Sequence, residues 1–236
     1  MNMKNNIKKA IVLASIASLA ISGTIYAADD TSKEKTTLDA EEVEYDMESG
    51  LANASGNVVM TKGNAVVTGD YAEFDSKTKN GKVSGHAVAV KEDMRMSANV
   101  VVTDGSNHMV ASGSVDGTKA DKHFAGPQVE YFDTNQYVLI PNGGQIDGPE
   151  GTFTADYMEG FMMTNRIIGK GNAHMVSPPN NMEAGGDQVD YYGADPGAQN
   201  GKAILTGNAW AIQDNNTLKS KKLTVFLADD GKAKVK

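Results

Sequence analysis

The side chains that could carry out chemistry in this chain are scattered along it. Its histidines lie in different parts of the chain, with no two spaced four residues apart: His86, His108, His123 and His174. Acidic neighbours such as Glu41 and Glu42 are adjacent in sequence, whereas a glycosidase needs two carboxyl groups that converge on one bond. No G-x-S-x-G, HExxH or P-loop sequence occurs. We therefore expect a protein that is not an enzyme and that holds no metal and no cofactor.

The amino-acid composition excludes further classes of function. The 236 residues include no cysteine, which excludes disulfides, thiol catalysis and cysteine-ligated metal. There are 30 acidic against 22 basic residues, a net charge of -8. A nucleic-acid binder needs basic patches to displace counterions, so we expect no nucleic acid among the partners.

The first 27 residues are typical of a signal peptide. Lys4, Lys8 and Lys9 precede an apolar stretch over residues 10–21, and Ala27 offers a small residue at the cleavage position. The alternative is an uncleaved N-terminal anchor. Cleavage would leave residues 28–236 as an exported, periplasmic chain. Without the three leader lysines, 19 basic residues face 30 acidic ones, and the net charge becomes -11.

An internal repeat runs through residues 28–236 at steps of 28 to 31 residues over most of the chain. Each unit has an apolar-spacer-apolar segment. These segments are Val43-Glu44-Tyr45, Ala72-Glu73-Phe74, Val100-Val101-Val102, Val129-Glu130-Tyr131, a weaker copy at Met158, Val189-Asp190-Tyr191 and Leu223-Thr224-Val225. A Gly-polar-apolar signature follows most of them, as in Gly56-Asn57-Val58 and Gly85-His86-Ala87. The alternation has a period of two, which predicts strands with one buried face.

Pairs such as Asn80-Gly81 and Asp104-Gly105 lie between the signatures, and they favour type I′ hairpin turns. Each unit is therefore expected to be a strand, a tight turn and a second strand. Six or seven units predict an all-β protein of about twelve to sixteen strands. An antiparallel roll and a parallel β-helix both stack such repeats. The hairpin turns favour the roll.

Once the repeat is written out, the chain resembles the OstA/LptA-like family of organic-solvent-tolerance N-terminal domains. The matching words are Asp39-Ala40-Glu41-Glu42-Val43-Glu44-Tyr45-Asp46, Ala54-Ser55-Gly56-Asn57-Val58, Gly69-Asp70-Tyr71-Ala72-Glu73-Phe74-Asp75 and Val83-Ser84-Gly85-His86-Ala87. The resemblance is clear over residues 38–120 and looser to the C-terminus. It implies an open antiparallel β-jellyroll that takes the acyl chains of lipopolysaccharide (lipid A) into an apolar lumen. It also implies partners in the LptC-like and LptD-like jellyroll domains of the inner- and outer-membrane complexes.

The chain departs from the family pattern in its length and in a Gly/Pro-rich stretch at 141–151, which we expect to be a seam within the roll. A second departure is the insertion before Gly201. Both a bridge protein and a paralogue with two fused modules are consistent with these features.

The inward positions of the repeat predict which residues would line a lipid-binding lumen. They are Val43, Tyr45, Val58, Met60, Ala72, Phe74, Val100, Val102, Met158 and Met175. An anionic protein that handles an anionic glycolipid must hold it by its tails, since each buried CH₂ contributes about 0.8 kcal/mol whereas an exposed ion pair contributes about 0–1 kcal/mol. The same residues could instead pack against one another as an ordinary core.

The first strand, near residues 38–45, and the last, at 223–227, are predicted to be unpaired edges that support head-to-tail self-association through Leu223, Val225 and Leu227. A tail that covers these edges is the alternative. Two other functions also fit the sequence: a secreted β-solenoid with a structural or surface role, and a carrier of another envelope lipid.

Overall fold

A computed structural model of the protein describes residues 36–105, 107–193, 201–227 and 234–235. The predicted signal peptide and residues 194–200 of the insertion before Gly201 lie outside these residues. The described chain forms one antiparallel sheet. Its strands are β1 (Thr36–Asp39), β2 (Glu42–Tyr45), β3 (Leu51–Lys62), β4 (Ala65–Asp75), β5 (Gly81–Lys91), β6 (Met94–Thr103), β7 (His108–Lys119), β8 (Lys122–Phe132), β9 (Tyr137–Ile140), β10 (Gly144–Gly148), β11 (Gly151–Ala155), β12 (Tyr157–Phe161), β13 (Arg166–Ser177), β14 (Met182–Tyr192), β15 (Lys202–Gln213), β16 (Asn216–Phe226) and β17 (Lys234–Val235). The all-β antiparallel prediction is confirmed. The helical content of the described residues is three 3-10 turns, at Asp133–Asn135, Met162–Thr164 and Pro178–Asn180.

A line of one-residue bulges crosses the whole sheet. Between β3 and β4 the register shifts between Ser55 and Val58, and every later pair of long strands shifts at the same level. Bulges bend strands and increase their twist. Aligned across so many strands, they fold the sheet along one line.

The Gly-polar signature is the local cause of this bend. Gly56 and Asn57 have φ values of +78° and +47°, and the equivalent pairs Gly85-His86 and Gly171-Asn172 have the same conformation. A positive φ is free of steric cost only for glycine, and asparagine tolerates it better than most residues. The signature therefore marks bulges inside long strands.

On the outer face, a hydrogen bond to a neighbouring carboxylate stabilises most of these bulges. Asn57 Nδ2 donates to Glu41 Oε1 at 2.6 Å, and Asn172 Nδ2 donates to Asp156 Oδ2 at 2.8 Å. His86 and Asn208 make the same contact with Asp70 and Asp187. This contact occurs at four of the bulges, so it stabilises the bend along the roll.

Each long strand therefore gives one half to each of two leaves. Leaf 1 contains halves such as residues 58–62 and 65–69, and leaf 2 contains halves such as residues 51–55 and 71–75. The leaves face each other. A Cβ built on Gly81 of leaf 2 would lie 2.9 Å from Met60 Sδ of leaf 1, and one on Gly169 of leaf 2 would lie 2.6 Å from Phe153 Cε1 of leaf 1. The core lies between them.

The tight turns occur at the other ends of the strands from those predicted. Two-residue connections are found at residues 63–64, 92–93, 120–121 and 214–215. Asn80 and Asp104-Gly105 instead belong to longer connections, where Lys79 and Asn107 carry the positive φ, and Gly81 begins β5. The Asn-Gly rule identified a reversal of the chain but not its geometry, because a longer loop can place the left-handed residue elsewhere.

The Gly/Pro-rich stretch at 141–151 does not interrupt the hydrogen-bonded ladder. β9 and β10 both pair with β8, on either side of residues 141–143, and both pair onward with β12 and β11. β11 and β12 together pair with β13. These short strands are the leaf halves of two long strands that are interrupted at the bend, as β1 and β2 are beside β3.

Candidate functional site

The apolar space between the leaves is the candidate site. One cluster of buried side chains runs from Ala54 near the start of the roll to Leu227 near its end, with contributions from both leaves. Its largest fully buried members include Met96, Ile140, Met158 and Leu205. The interior of the roll is thus a continuous apolar path along its length.

Five of the predicted lining residues lie fully buried in this interior: Val58, Met60, Ala72, Met158 and Met175. Phe74 is partly buried and packs against the same cluster. Burial between the leaves establishes their position, and contact with a ligand remains a prediction for each of them.

Val43 and Tyr45 lie on the inner face but are exposed. They are paired across the ladder with Ala54 and Ala52, whose side chains are buried, so all four point to the same side of the sheet. β2 is the first strand of leaf 2, and Tyr45 remains 53% exposed. At the other end, Leu218 in the leaf 1 half of β16 also lies on the inner face, paired with buried Ala211, and is 46% exposed. The inner face is therefore accessible to solvent at both ends of the roll.

The prediction that Val100 and Val102 point inward is wrong. Val101 is buried on the inner face at 1% exposure, while Val102 is 40% exposed on the outer face and Val100 is half-buried. Met94, Met96 and Ala98 alternate inward along β6 up to the bend, and the alternation is reversed beyond it, opposite bulges whose extra residue lies on the neighbouring strands β5 and β7. A run of three valines contains no polar residue from which this reversal could be read.

Two clefts open from the interior. The N-terminal cleft has a volume of about 80 Å³, and its apolar lining includes Met60, Val67, Phe74, Met94 and Met109. The C-terminal cleft has a volume of about 290 Å³, and its apolar lining includes Ile146, Phe153, Ile167, Met175 and Leu227. Ligand pockets of about 300–1,000 Å³ are typical for small molecules, so both clefts are narrow and most of the interior is filled by its own side chains.

An ion pair joins the two leaves across the mouth of the N-terminal cleft. Lys91 Nζ, at the end of β5 in leaf 1, lies 2.6 Å from Asp133 Oδ2, which follows β8 in leaf 2. On a flat sheet Lys91 would share its level with Lys122, eleven residues and about 35 Å from Asp133 at 3.3 Å per residue. Only the fold along the bulge line can bring these two residues together.

Two further contacts support this closure. Lys62 Nζ donates to the Gly105 carbonyl at 3.3 Å, again from leaf 1 to leaf 2. The Tyr131 hydroxyl, which reaches the same mouth from leaf 2, donates to Asp133 Oδ1 at 3.3 Å. Burial, followed by the nearby Asp133 carboxylate, raises the pKa of Tyr131 to about 12. The sequence did not predict these contacts between the leaves, because the two residues of each contact lie more than 40 residues apart and belong to no repeated motif.

The edges of the sheet differ from the prediction at the C-terminus. The side chains of Leu223, Val225 and Leu227 are buried in the interior. β17 pairs with β16 at Val225 and Phe226, so this part of the last strand is covered. Among the described residues, the strand registers leave the outer edges of β1 and β2 and the outer edge of β16 before Val225 unpaired. The expectation of an unpaired edge at Val225 is wrong because residues 234–235 pair there as a short additional strand.

The histidines lie on the outer surfaces of the leaves and each faces a carboxylate. His123 makes close contacts with two carboxylates: its Nδ1 is 3.0 Å from Asp147 Oδ2 and its Nε2 is 2.9 Å from Asp116 Oδ2. Hydrogen bonding to Asp147, and then to Asp116, raises the pKa of His123. No group of three or more His, Cys, Asp or Glu side chains suited to a metal ion occurs within the described part of the chain.

The fold and interior define a class of protein: an antiparallel roll of repeated strands around a continuous apolar space. Residues 37–195 match the family described as "LptA/(LptD N-terminal domain) LPS transport protein". The chain therefore belongs to this family of lipopolysaccharide-transport proteins, and the OstA/LptA-like resemblance is confirmed.

Among solved structures, one match is the crystal structure of LptH from Pseudomonas aeruginosa, described as the LptA homologous periplasmic component of the conserved lipopolysaccharide transport device. It has 19% sequence identity and a TM-score of 0.42, and the match covers 45% of this chain and 81% of LptH. A search of curated proteins found no match. Within the described residues, no helix has the length and apolar character needed to cross a membrane.

Proposed function

We propose that this protein carries lipopolysaccharide through the periplasm by enclosing the acyl chains of lipid A between its two leaves. The observation that supports this proposal is the continuous apolar interior whose inner face is exposed at both ends of the roll, at Tyr45 and Leu218. A twelve-carbon chain transferred from water to such a space contributes on the order of 10 kcal/mol at 0.8 kcal/mol per CH₂.

The interior must rearrange to accept these chains. The two clefts are too narrow for several acyl chains, so the leaves have to separate and inner side chains have to repack. Methionine suits this role because its side chain is flexible and polarizable. Met60, Met96 and Met158 are buried at the core of the interior, where such repacking is needed.

Single cysteines test the site directly, because the natural chain contains none. Tyr45→Cys places a thiol on the exposed inner face, and Tyr71→Cys places one on the outer face, where Tyr71 is 61% exposed. We expect bound lipid A to slow the reaction of a maleimide with Tyr45→Cys several-fold and to leave Tyr71→Cys unchanged. Equal protection of both thiols, or protection of neither by lipid that has bound, contradicts the inner-face assignment.

Extraction of the purified protein, followed by mass spectrometry, identifies the cargo. Lipopolysaccharide or lipid A is the expected product. Recovery of another envelope lipid would assign the same interior to a different cargo. If no lipid is recovered and none binds when it is added, the structural role that the repeat also allows becomes the better description.

We further propose that the roll bridges the inner and outer membranes by edge-to-edge pairing with the LptC-like and LptD-like jellyroll domains, and that copies of this chain associate head to tail. Two uncovered edges support the proposal: that of β1 and β2 at one end, and that of β16 before Val225 at the other. Uncovered backbone groups at a sheet edge favour pairing with another strand.

Disulfide trapping tests the head-to-tail arrangement. When β16 of one copy pairs beside β1 of the next, the leaf 1 half of β16 adjoins the leaf 1 strand β1, and Leu218 and Leu38 lie on the same inner face of adjoining strands. Mild oxidation of the Leu38→Cys/Leu218→Cys variant should therefore give a ladder of multimers, and the control Tyr71→Cys/Leu218→Cys should not. A monomer in both cases would refute edge pairing without affecting the lipid-binding proposal.

A further inference from the structure

The two clefts differ in charge although they open from the same interior. The N-terminal cleft is bordered by Lys62, Lys79 and Lys91, with Asp104 and Asp133 as its acidic residues. The C-terminal cleft is bordered by Lys122 and three acidic residues, Asp121, Asp147 and Glu150. In a chain that carries more acidic than basic residues, a rim with an excess of lysine is a local reversal of charge.

Two of the lysines at this rim lie at strand ends, immediately beyond apolar side chains of the same strand. Lys62 follows Thr61 and Met60 at the end of β3, and Lys91 follows Val90 and Ala89 at the end of β5. Both of these strand ends border the N-terminal cleft. A ligand that reaches both the lysines and the cleft floor must therefore be anionic at one end and apolar at the other.

Lys91 is held by a contact that a ligand could replace. Its ammonium group pairs with Asp133 across the two leaves, and both side chains are partly exposed, at 22% and 32%. The pair is accessible to solvent, so a phosphate group can approach Lys91 without first entering the interior. A phosphate carries a larger charge than a carboxylate and more acceptor oxygens, and it can contact several lysines at once.

We propose that the rim of the N-terminal cleft is a site for the phosphate groups of an anionic lipid, and that Lys91 exchanges Asp133 for phosphate as the leaves separate. Lys62 and Lys79 complete the site, while the acyl chains pass between the leaves over Met60. This assignment rests on the proposed carriage of acyl chains and adds where the headgroup is held. It also makes the Lys91–Asp133 pair a latch, closed when the site holds no lipid.

Two lipids that differ only in phosphate test this site. The probes are lipid A and the same lipid A after removal of its phosphates, each measured by displacement of a fluorescent acyl probe from the full chain. The wild-type protein should bind the phosphorylated form about ten-fold more tightly at low salt, and the difference should shrink as salt screens the rim. The Lys62→Gln/Lys79→Gln variant should lose most of this preference and retain its affinity for the dephosphorylated form.

Lys82→Gln is the matched control, because Lys82 lies on the outer face of the leaf 2 half of β5, paired with Glu73 at 3.4 Å. It should keep the full preference. Asp133→Asn tests the latch: it should accelerate the association of lipid A several-fold, since Lys91 is released and the leaves part more easily. An excess of inorganic phosphate should compete weakly, because it gains no apolar contact.

The outcomes separate the two proposals. Equal affinity for the two lipids, or a preference that survives Lys62→Gln/Lys79→Gln, overturns the headgroup site and leaves acyl-chain binding in place. Full competition by inorganic phosphate alone would show a free-anion site and would also overturn the assignment. If the protein binds neither lipid, both the headgroup site and the proposed function fail.

Discussion

Replacement of Gly171 by alanine tests whether the bend depends on its glycines. Gly171 lies at the bulge of β13 with a φ of +73°. A Cβ at this position would lie 2.6 Å from Asp156 Oδ2 and 3.0 Å from Asp156 Cβ. The substitution therefore imposes a left-handed backbone on an L-residue and displaces the carboxylate that accepts a hydrogen bond from Asn172.

The magnitude follows from these two effects. A non-glycine residue in the left-handed region costs about 1–2 kcal/mol. Loss of the Asp156–Asn172 hydrogen bond adds about 0.5–1.5 kcal/mol. We expect Gly171→Ala to lower the free energy of unfolding by about 2–3 kcal/mol. For a chain of this size, 1 kcal/mol corresponds to about 2–4 °C in Tm, so Tm should fall by about 4–12 °C.

Urea unfolding followed by the fluorescence of the single tryptophan, Trp210, measures the change. Gly160→Ala is the control, since Gly160 lies in neighbouring β12 without a positive φ and its Cβ would lie 3.6 Å from Val138 Cβ, an ordinary contact. That variant should change stability by less than about 0.5 kcal/mol. If Gly171→Ala proves as harmless as Gly160→Ala, the bulges do not require glycine and our account of the bend is incorrect.

Two other predictions concern the faces of the leaves. Val101→Ala should lower the free energy of unfolding by about 2–3 kcal/mol, because it removes buried methyl groups and leaves a cavity. Val102→Ala should lower it by less than about 0.5 kcal/mol, because Val102 is exposed on the outer face. Equal effects of the two substitutions would refute the reversed alternation in β6. Hydrogen bonds to Asp147 and Asp116 raise the pKa of His123 in the folded state. Protonation of His123 therefore stabilises the fold, fully below the unfolded pKa of 6.5, and this stabilisation is lost as the pH rises through the pKa of the folded state. The difference in Tm between the wild type and His123→Gln should accordingly be larger at pH 6 than at pH 8, and a difference that grows with pH would contradict the assignment.

Strand type and repeat length could be predicted from the sequence because both depend on local signals. Alternation of apolar and polar residues is read within one strand, and Val58-Met60 or Ala72-Phe74 appear in it directly. The period of the repeat is visible without any knowledge of contacts. These features predicted an antiparallel roll of about the observed number of strands.

Positions that depend on the bend could not be read in the same way. In β6, β4 and the other strands that lack the Gly-polar pair, the bulge reverses which residues face inward, and this misplaced Val100 and Val102. The turns, too, depend on loop length, so Asn80-Gly81 did not form the two-residue turn that its sequence favours.

The sequence by itself determined that this protein is a repeated, acidic, all-β chain with enough apolar residues on one face of each strand to enclose a core. Only the tertiary structure decided where that core is closed and where it is open. The Lys91–Asp133 pair and the exposed inner face at Tyr45 both result from folding the sheet along its line of bulges. That fold brings together residues about 35 Å apart on a flat sheet, and no pattern local to either residue records such a contact.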